Sequence, residues 1–279
     1  MNLNFVLNDY ILMWNLLFLP SITKDIQQLK QNLWKNYRHS YHRLEKEEIK
    51  ILKDPKNYIP DDDTIFDMIK ASPSYQKIYQ ETEAYRSCLL TTWDEYKKRI
   101  IKDFKNILRF DIKLYHILVI DPNFEVMDMK VVKTRKVNTM TWGRQEDIDN
   151  YLQAIISILS HVVQKELILY QQDYQEIVQA VIELAVDNEL ATRIFNRSVY
   201  LTGDESLRFL KRQIYPYWLM YLGVAKEDFS SYMKRDKILF DVDKYTYERQ
   251  LAGLDLCSFI DFCVKNQRHI VKISELEII

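Results

Sequence analysis

A mainly α-helical, α+β architecture is what this chain of 279 residues predicts, and three observations carry it. Glycine and proline are scarce, at four and six residues, whereas helix-favouring Lys, Glu, Gln, Leu and Ile abound. Apolar residues recur every three or four positions over several long stretches, the period of a helix with one buried face. Between about 114 and 142 the pattern changes to short runs rich in β-branched residues, which predicts a small sheet. The expected layout is a helical hairpin or bundle over residues 1–110, then a region from 111 to 279 with the sheet and a helical C-terminal part, or one continuous domain.

Composition narrows the function classes. A net charge of −1 gives no electrostatic case for nucleic acid. With 47% hydrophobic residues the chain is able to bury a substantial core. Cys88, Cys257 and Cys263 make an odd number without paired spacing, which suits a reducing, cytoplasmic setting. Phe5 to Leu19 is apolar, but Asp9 interrupts it, no Lys or Arg precedes it and it falls short of a membrane span, so the expectation is an amphipathic or buried helix and no membrane partner.

Ser21 is placed to cap a long helix to about Lys53, with Ile26, Leu29, Leu33, Trp34, Tyr37, Tyr41 and Leu44 in its apolar stripe. His39 and His42 on it have no carboxylate-rich partner motif and read as surface residues. Asp61, Asp62 and Asp63 precede a short helix from Thr64 to Ala71, where acids favour the helix dipole; a hard cation is the sharper alternative. Ser72-Pro73 opens another helix, to about Leu108.

Leu114 to Asp121 reads as a strand, and the segment to Trp142-Gly143 supplies two more. Lys130, Lys133, Arg135 and Lys136 fall on that hairpin, as charges that guard an edge or as an edge that pairs with an extended peptide. A helix from Gln145 to about Tyr170 follows. Its stripe (Tyr151, Leu152, Ile155, Ile156, Leu159, Val162, Val163) leaves His161 on the other side, flanked by Ser157 and Lys165. The next helix, about Asp173 to Phe195, is apolar nearly all round and so buried, yet it carries Glu183 and Asp187 four residues apart. Buried carboxylates require partners.

A histidine on one helix followed about twenty residues later by Glu-x-x-x-Asp on the next resembles the metal-site layout of the gluzincin (thermolysin-like) metallopeptidases, over about residues 110–222. In that family His-Glu-x-x-His supplies two zinc ligands and the glutamate that activates water, the later glutamate is the third ligand, and the aspartate orients the first histidine. The resemblance implies that His161, Glu183 and Asp187 are the first ligand, third ligand and orienting acid. Here the motif reads His161-Val162-Val163-Gln164-Lys165: the base is replaced by Val162 and the second histidine by Lys165. The small sheet before the helix also fits the family, so the C-terminal half is expected to be zincin-like.

With no carboxylate at Val162 to accept a proton from water, the resemblance implies a catalytically inactive homologue whose cleft binds a peptide or protein. Its relict site would be His161, Lys165, Glu183 and Asp187, with the Lys165 ammonium beside Glu183 where the metal's charge stood, and with no cofactor. One alternative is a helical scaffold in which Glu183 and Asp187 form a buried salt-bridge node. Another is an active metal-dependent hydrolase, with zinc on His161, Glu183 and an atypical ligand such as His116 or Glu189.

The remaining elements are helical. Gly203 marks a turn, Asp204 is an N-cap candidate, and Leu207 to Leu222 forms an aromatic-rich helix that Pro216 should kink or break. Asp241 and Asp243 lack a third ligand for a metal. Asp255 is placed to cap a last helix to Asn266, and His269 to Ile273 reads as a closing strand.

Overall fold

The computed structural model describes residues 2–18, 24–60, 63–121, 131–133, 138–143, 150–167, 170–196, 201–224 and 250–270. It is mainly helical with one four-stranded mixed sheet. Of the sequence expectations, Asp241, Asp243, Lys130, Arg135, Lys136, Asp61 and Asp62 lie outside the described residues.

Strand β1 (Asn2–Leu7) is followed by helix α1 (Asp9–Phe18), so the N-terminal apolar run is a strand before it is a helix. Asn8 makes the switch: its Oδ1 accepts from the Ile11 N–H at 2.9 Å, capping α1. Helix α1 is buried along nearly all its length, including Asn15, whose amide donates to the Ile11 carbonyl at 2.7 Å. The single helix expected to Lys53 is three: α2 (Lys24–Asn36), α3 (Arg38–Glu45) and α4 (Glu48–Lys53). Tertiary bonds to α1 favour the breaks over straight continuation, since Trp14 Nε1 donates to the Leu44 carbonyl at 3.1 Å and the Tyr41 hydroxyl to the Leu17 carbonyl at 3.1 Å. Helix α5 (Thr64–Lys70) precedes α6 (Pro73–Leu108), whose start falls at Ser72-Pro73: the Ser72 hydroxyl accepts from the Tyr75 N–H at 3.2 Å.

The sheet order is β1, β2 (Leu114–Val119), β4 (Asn138–Trp142), β3 (Val131–Lys133). β1 and β4 run parallel to β2, and the edge strand β3 is antiparallel to β4. The inner strands β2 and β4 are buried almost throughout, as strands covered on both faces are. After the sheet come α7 (Tyr151–Leu167), α8 (Gln175–Glu183), a π-helical turn (Leu184–Leu190), α9 (Ala191–Phe195), α10 (Arg208–Leu222), α11 (Leu256–Lys265) and α12 (Gln267–Ile270).

Two compact units divide the chain: residues 1–95 with 113–155, and residues 96–112 with 156–279. The sheet therefore belongs with the N-terminal helices rather than with the region beyond 111, because β1 supplies one of its strands. The core of the first unit gathers α1, with Leu33, Leu44, Ile51 and Phe66, against Leu118 and Ile120. In the second unit the Arg109 guanidinium donates to the Tyr221 and Leu254 carbonyls, each at 2.8 Å, and covers the Tyr221 ring at 4.4 Å. Helix α10 continues through Pro216, which does not end it, and stops at Gly223 in the left-handed region. Asp204 and Asp255 both cap as expected, while His269 and Ile270 are helical, not extended.

Candidate functional site

The acid pair predicted on the buried helix lies in the second unit, at the end of α8 and in the turn after it. Glu183 is the last residue of α8, Asp187 sits in the π-helical turn, and Glu183 is buried. A π turn inserts one residue per turn and leaves backbone groups out of the regular ladder. The Asn188 amide meets one of them, donating to the Glu183 carbonyl at 2.6 Å. Asn188 also accepts the Thr202 N–H at 2.8 Å, and the Thr202 hydroxyl donates to the Asp187 carbonyl at 3.2 Å, so the 201–204 segment is stitched onto the turn.

The cation that meets Glu183 is Lys211 of α10. Its Nζ stands 2.6 Å from Glu183 Oε2, with its side chain wholly buried and that of Glu183 5% exposed. The same ammonium donates to the carbonyls of Thr202 at 2.9 Å and Asp204 at 3.4 Å, so all three of its protons are engaged. Glu183 also accepts from Gln179 Nε2 at 3.2 Å and from the Asp204 N–H at 3.1 Å. Gly203 makes this approach feasible. Its φ is +107°, and a Cβ there would overlap Glu183 Oε2 and lie 2.8 Å from Cδ.

Asp187 accepts a hydrogen bond from the Ser160 hydroxyl of α7 at 2.8 Å. Burial pushes its carboxyl up to about 7; the Ser160 bond opposes the rise, the Glu183 charge adds to it, and Lys211 works against it. Lys211 pairs directly with Glu183, and its charge only partly offsets the rise at Asp187, whose carboxyl therefore holds its proton further up the pH scale than an exposed acid does.

His161 is one residue past Ser160, and its Nδ1 lies 2.8 Å from the Ser157 carbonyl one turn back. Burial holds its imidazole below the usual range, the Ser157 bond opposes that, and the Lys165 charge on the next turn of α7 lowers it further. The structure therefore brings Ser160, Asp187, Glu183 and Lys211 together, and on α7 the Lys165 charge reaches His161 one turn away. Among the described residues, Glu183 has Gln179, the Asp204 N–H and Lys211 as hydrogen-bond partners, and the amine beside it is Lys211 rather than Lys165.

This donor set does not suit zinc. Glu183 Oε2 already faces an ammonium and a backbone N–H, and a second cation would meet the Lys211 charge at contact distance. Of the atypical ligands considered, Glu189 pairs with Arg193 at 2.7 Å, and His116 in β2 lies 3.3 Å from the Asn4 amide. Among the described residues no three His, Cys, Asp or Glu side chains gather closely enough to hold a metal ion.

No family model, curated protein or solved structure matches this chain. Among the described residues, no helix is long and apolar enough to cross a membrane.

Sequence reasoning missed Lys211 and Gly203 as parts of this node. The available signal was the requirement of a buried Glu183 for a cation, which singles out no particular lysine. Gly203 was legible as a turn but not as the residue against which the carboxylate lies.

Proposed function

We propose that this protein is a non-catalytic binding module for a peptide or protein, built on a zincin-like layout in which Lys211 supplies the charge that a metal would. The observation that carries this reading is the 2.6 Å contact between Lys211 and Glu183, both buried. An ammonium there satisfies the carboxylate, and with Val162 where the family has its glutamate no side chain at that position accepts a proton from water. The order of elements supports the zincin-like part: a small mixed sheet with an antiparallel edge strand leads into α7, and the helix bearing Glu183 and Asp187 follows.

The bond from Ser160 to Asp187 favours a second reading, a helical scaffold without that ancestry. In the family the equivalent acid orients the first histidine, whereas here it receives a serine hydroxyl. Both readings are non-catalytic, and metal analysis tests that shared statement. Protein purified after growth with added zinc is expected to contain far less than one equivalent and to cleave no peptide substrate. One equivalent of zinc that is lost in Glu183→Gln, together with peptide cleavage lost in the same variant, would overturn it.

A further inference from the structure

We infer that a polar row across the sheet of the first unit, made of Asn4, His116 and Thr139 with Lys56 at its rim, is a binding site for a carboxylate. Register places the row. Asn4 pairs with His116 and His116 with Thr139, so the three side chains stand side by side on one face of β1, β2 and β4. Val6 and Leu118, the next residues on that face, pack into the core with α1, so the row begins where the apolar core ends. The Asn4 amide nitrogen lies 3.3 Å from His116 Nδ1. An amide nitrogen only donates, so Nδ1 accepts and the imidazole carries its proton on Nε2. Burial holds this imidazole below its usual range and the Lys56 charge lowers it further, which keeps the ring neutral at pH 7.

Two groups of the row lack what they need. Thr139 is wholly buried, and its hydroxyl has no hydrogen-bond partner among the described residues. A buried hydroxyl left so is costly and requires a ligand or a water. His116 is 6% exposed, and its Nε2–H has no partner among the described residues either. The charge around these groups is positive. Lys56 is exposed without an ion pair among the described residues, and its ammonium acts on His116 whereas no carboxylate among them does. Asp54, the acid nearest to Lys56 in the chain, accepts from the Asn57 amide. The groups left to bind are thus an N–H, an O–H and an ammonium. A carboxylate supplies what all three lack, with two oxygens for side chains on neighbouring strands about 4.8 Å apart. A phosphate dianion would need more cations than the one lysine at this rim.

The row lies in the first unit and the Glu183–Lys211 pair in the second, so this inference and the non-catalytic reading fail independently. In the full chain, the imidazole signals of the five histidines would be followed by NMR at pH 7.5 as sodium acetate replaces sodium chloride at constant ionic strength, with His116→Gln identifying the His116 signals. The expected result is a saturable shift at His116 that the exposed His39 and His42 do not share. It should be weakened roughly tenfold or more by Thr139→Val and by Lys56→Gln, but not by Lys102→Gln on α6. Triglycine and its C-terminal amide separate the sources of the carboxylate. Binding of triglycine but not of the amide assigns a peptide terminus, binding of acetate alone assigns a free small acid, and both uphold the site. Circular dichroism confirms that each variant is folded; if Thr139→Val is not, Lys56→Gln decides. No saturable shift with acetate, which would leave an ordered water as the filling of the row, would overturn the assignment. So would an equal response to the amide, tighter binding of inorganic phosphate, or indifference to Thr139→Val or Lys56→Gln.

Discussion

Replacing Lys211 by methionine removes the cation from Glu183 while keeping the aliphatic stem that fills the space. Glu183 would then retain one neutral amide at 3.2 Å and one backbone N–H at 3.1 Å, and the carbonyls of Thr202 and Asp204 would lose a donor. Breaking a buried pair on one side costs about 3–5 kcal/mol, because the remaining charge is uncompensated. Replacing both partners, as in Glu183→Leu with Lys211→Met, removes that charge and brings the cost down, since apolar substitutes of similar volume are often neutral. Urea unfolding of the wild type, both single variants and the double variant closes a mutant cycle, and the coupling should exceed about 2 kcal/mol. If Lys211→Met costs less than about 1 kcal/mol, within the range of exposed pairs, or if the single effects add, the ion pair does not organise this unit and the reasoning is wrong.

Two further outcomes follow from the same cluster. Asp187 has its folded pKa raised to about 7 from the ordinary 3.8, so its contribution to stability is fully present below about 4 and is lost as pH rises through 7. The whole effect is on the order of 4 kcal/mol, and Asp187→Asn should flatten that part of the profile when urea midpoints are compared at pH 5 and pH 8.5; an unchanged profile would refute the assignment. Gly203→Ala combines a positive φ of +107° with overlap on Glu183, and should cost about 1–3 kcal/mol, read as a lower melting temperature. A melting temperature equal to wild type would show that the carboxylate does not lie against this glycine.

What the sequence disclosed depended on how local each feature is. The α6 start at Ser72-Pro73 and the Asp204 and Asp255 caps are set by side chains within three residues of the backbone they serve, so they were readable in advance. The buried character of α8 and the turn after it followed from its all-round apolar pattern. β1 was not readable, because a short apolar run serves a strand or a buried helix equally, and pairing with β2 decides between them. The breaks between α2, α3 and α4 depend on bonds to α1, and periodicity alone runs through them. For the site, the acids were visible as a contradiction between residue type and environment. Their partner Lys211 is 28 positions from Glu183, and nothing in its neighbours Leu210 and Arg212 marks it as the lysine that is wholly buried.

The parallel pairing of β1 with β2 has a bearing on synthesis. Asn4 and His116 are neighbours in the sheet yet 112 positions apart. At translation speeds of about 5–20 residues per second, the strand at the start of the chain waits roughly 5–20 s before its partner has been made. During that interval Phe5, Val6 and Leu7, continuous with the apolar α1, form a sticky stretch without its native neighbour. A nascent chain stalled before Leu114 should therefore recruit a chaperone that one stalled after Trp142 releases.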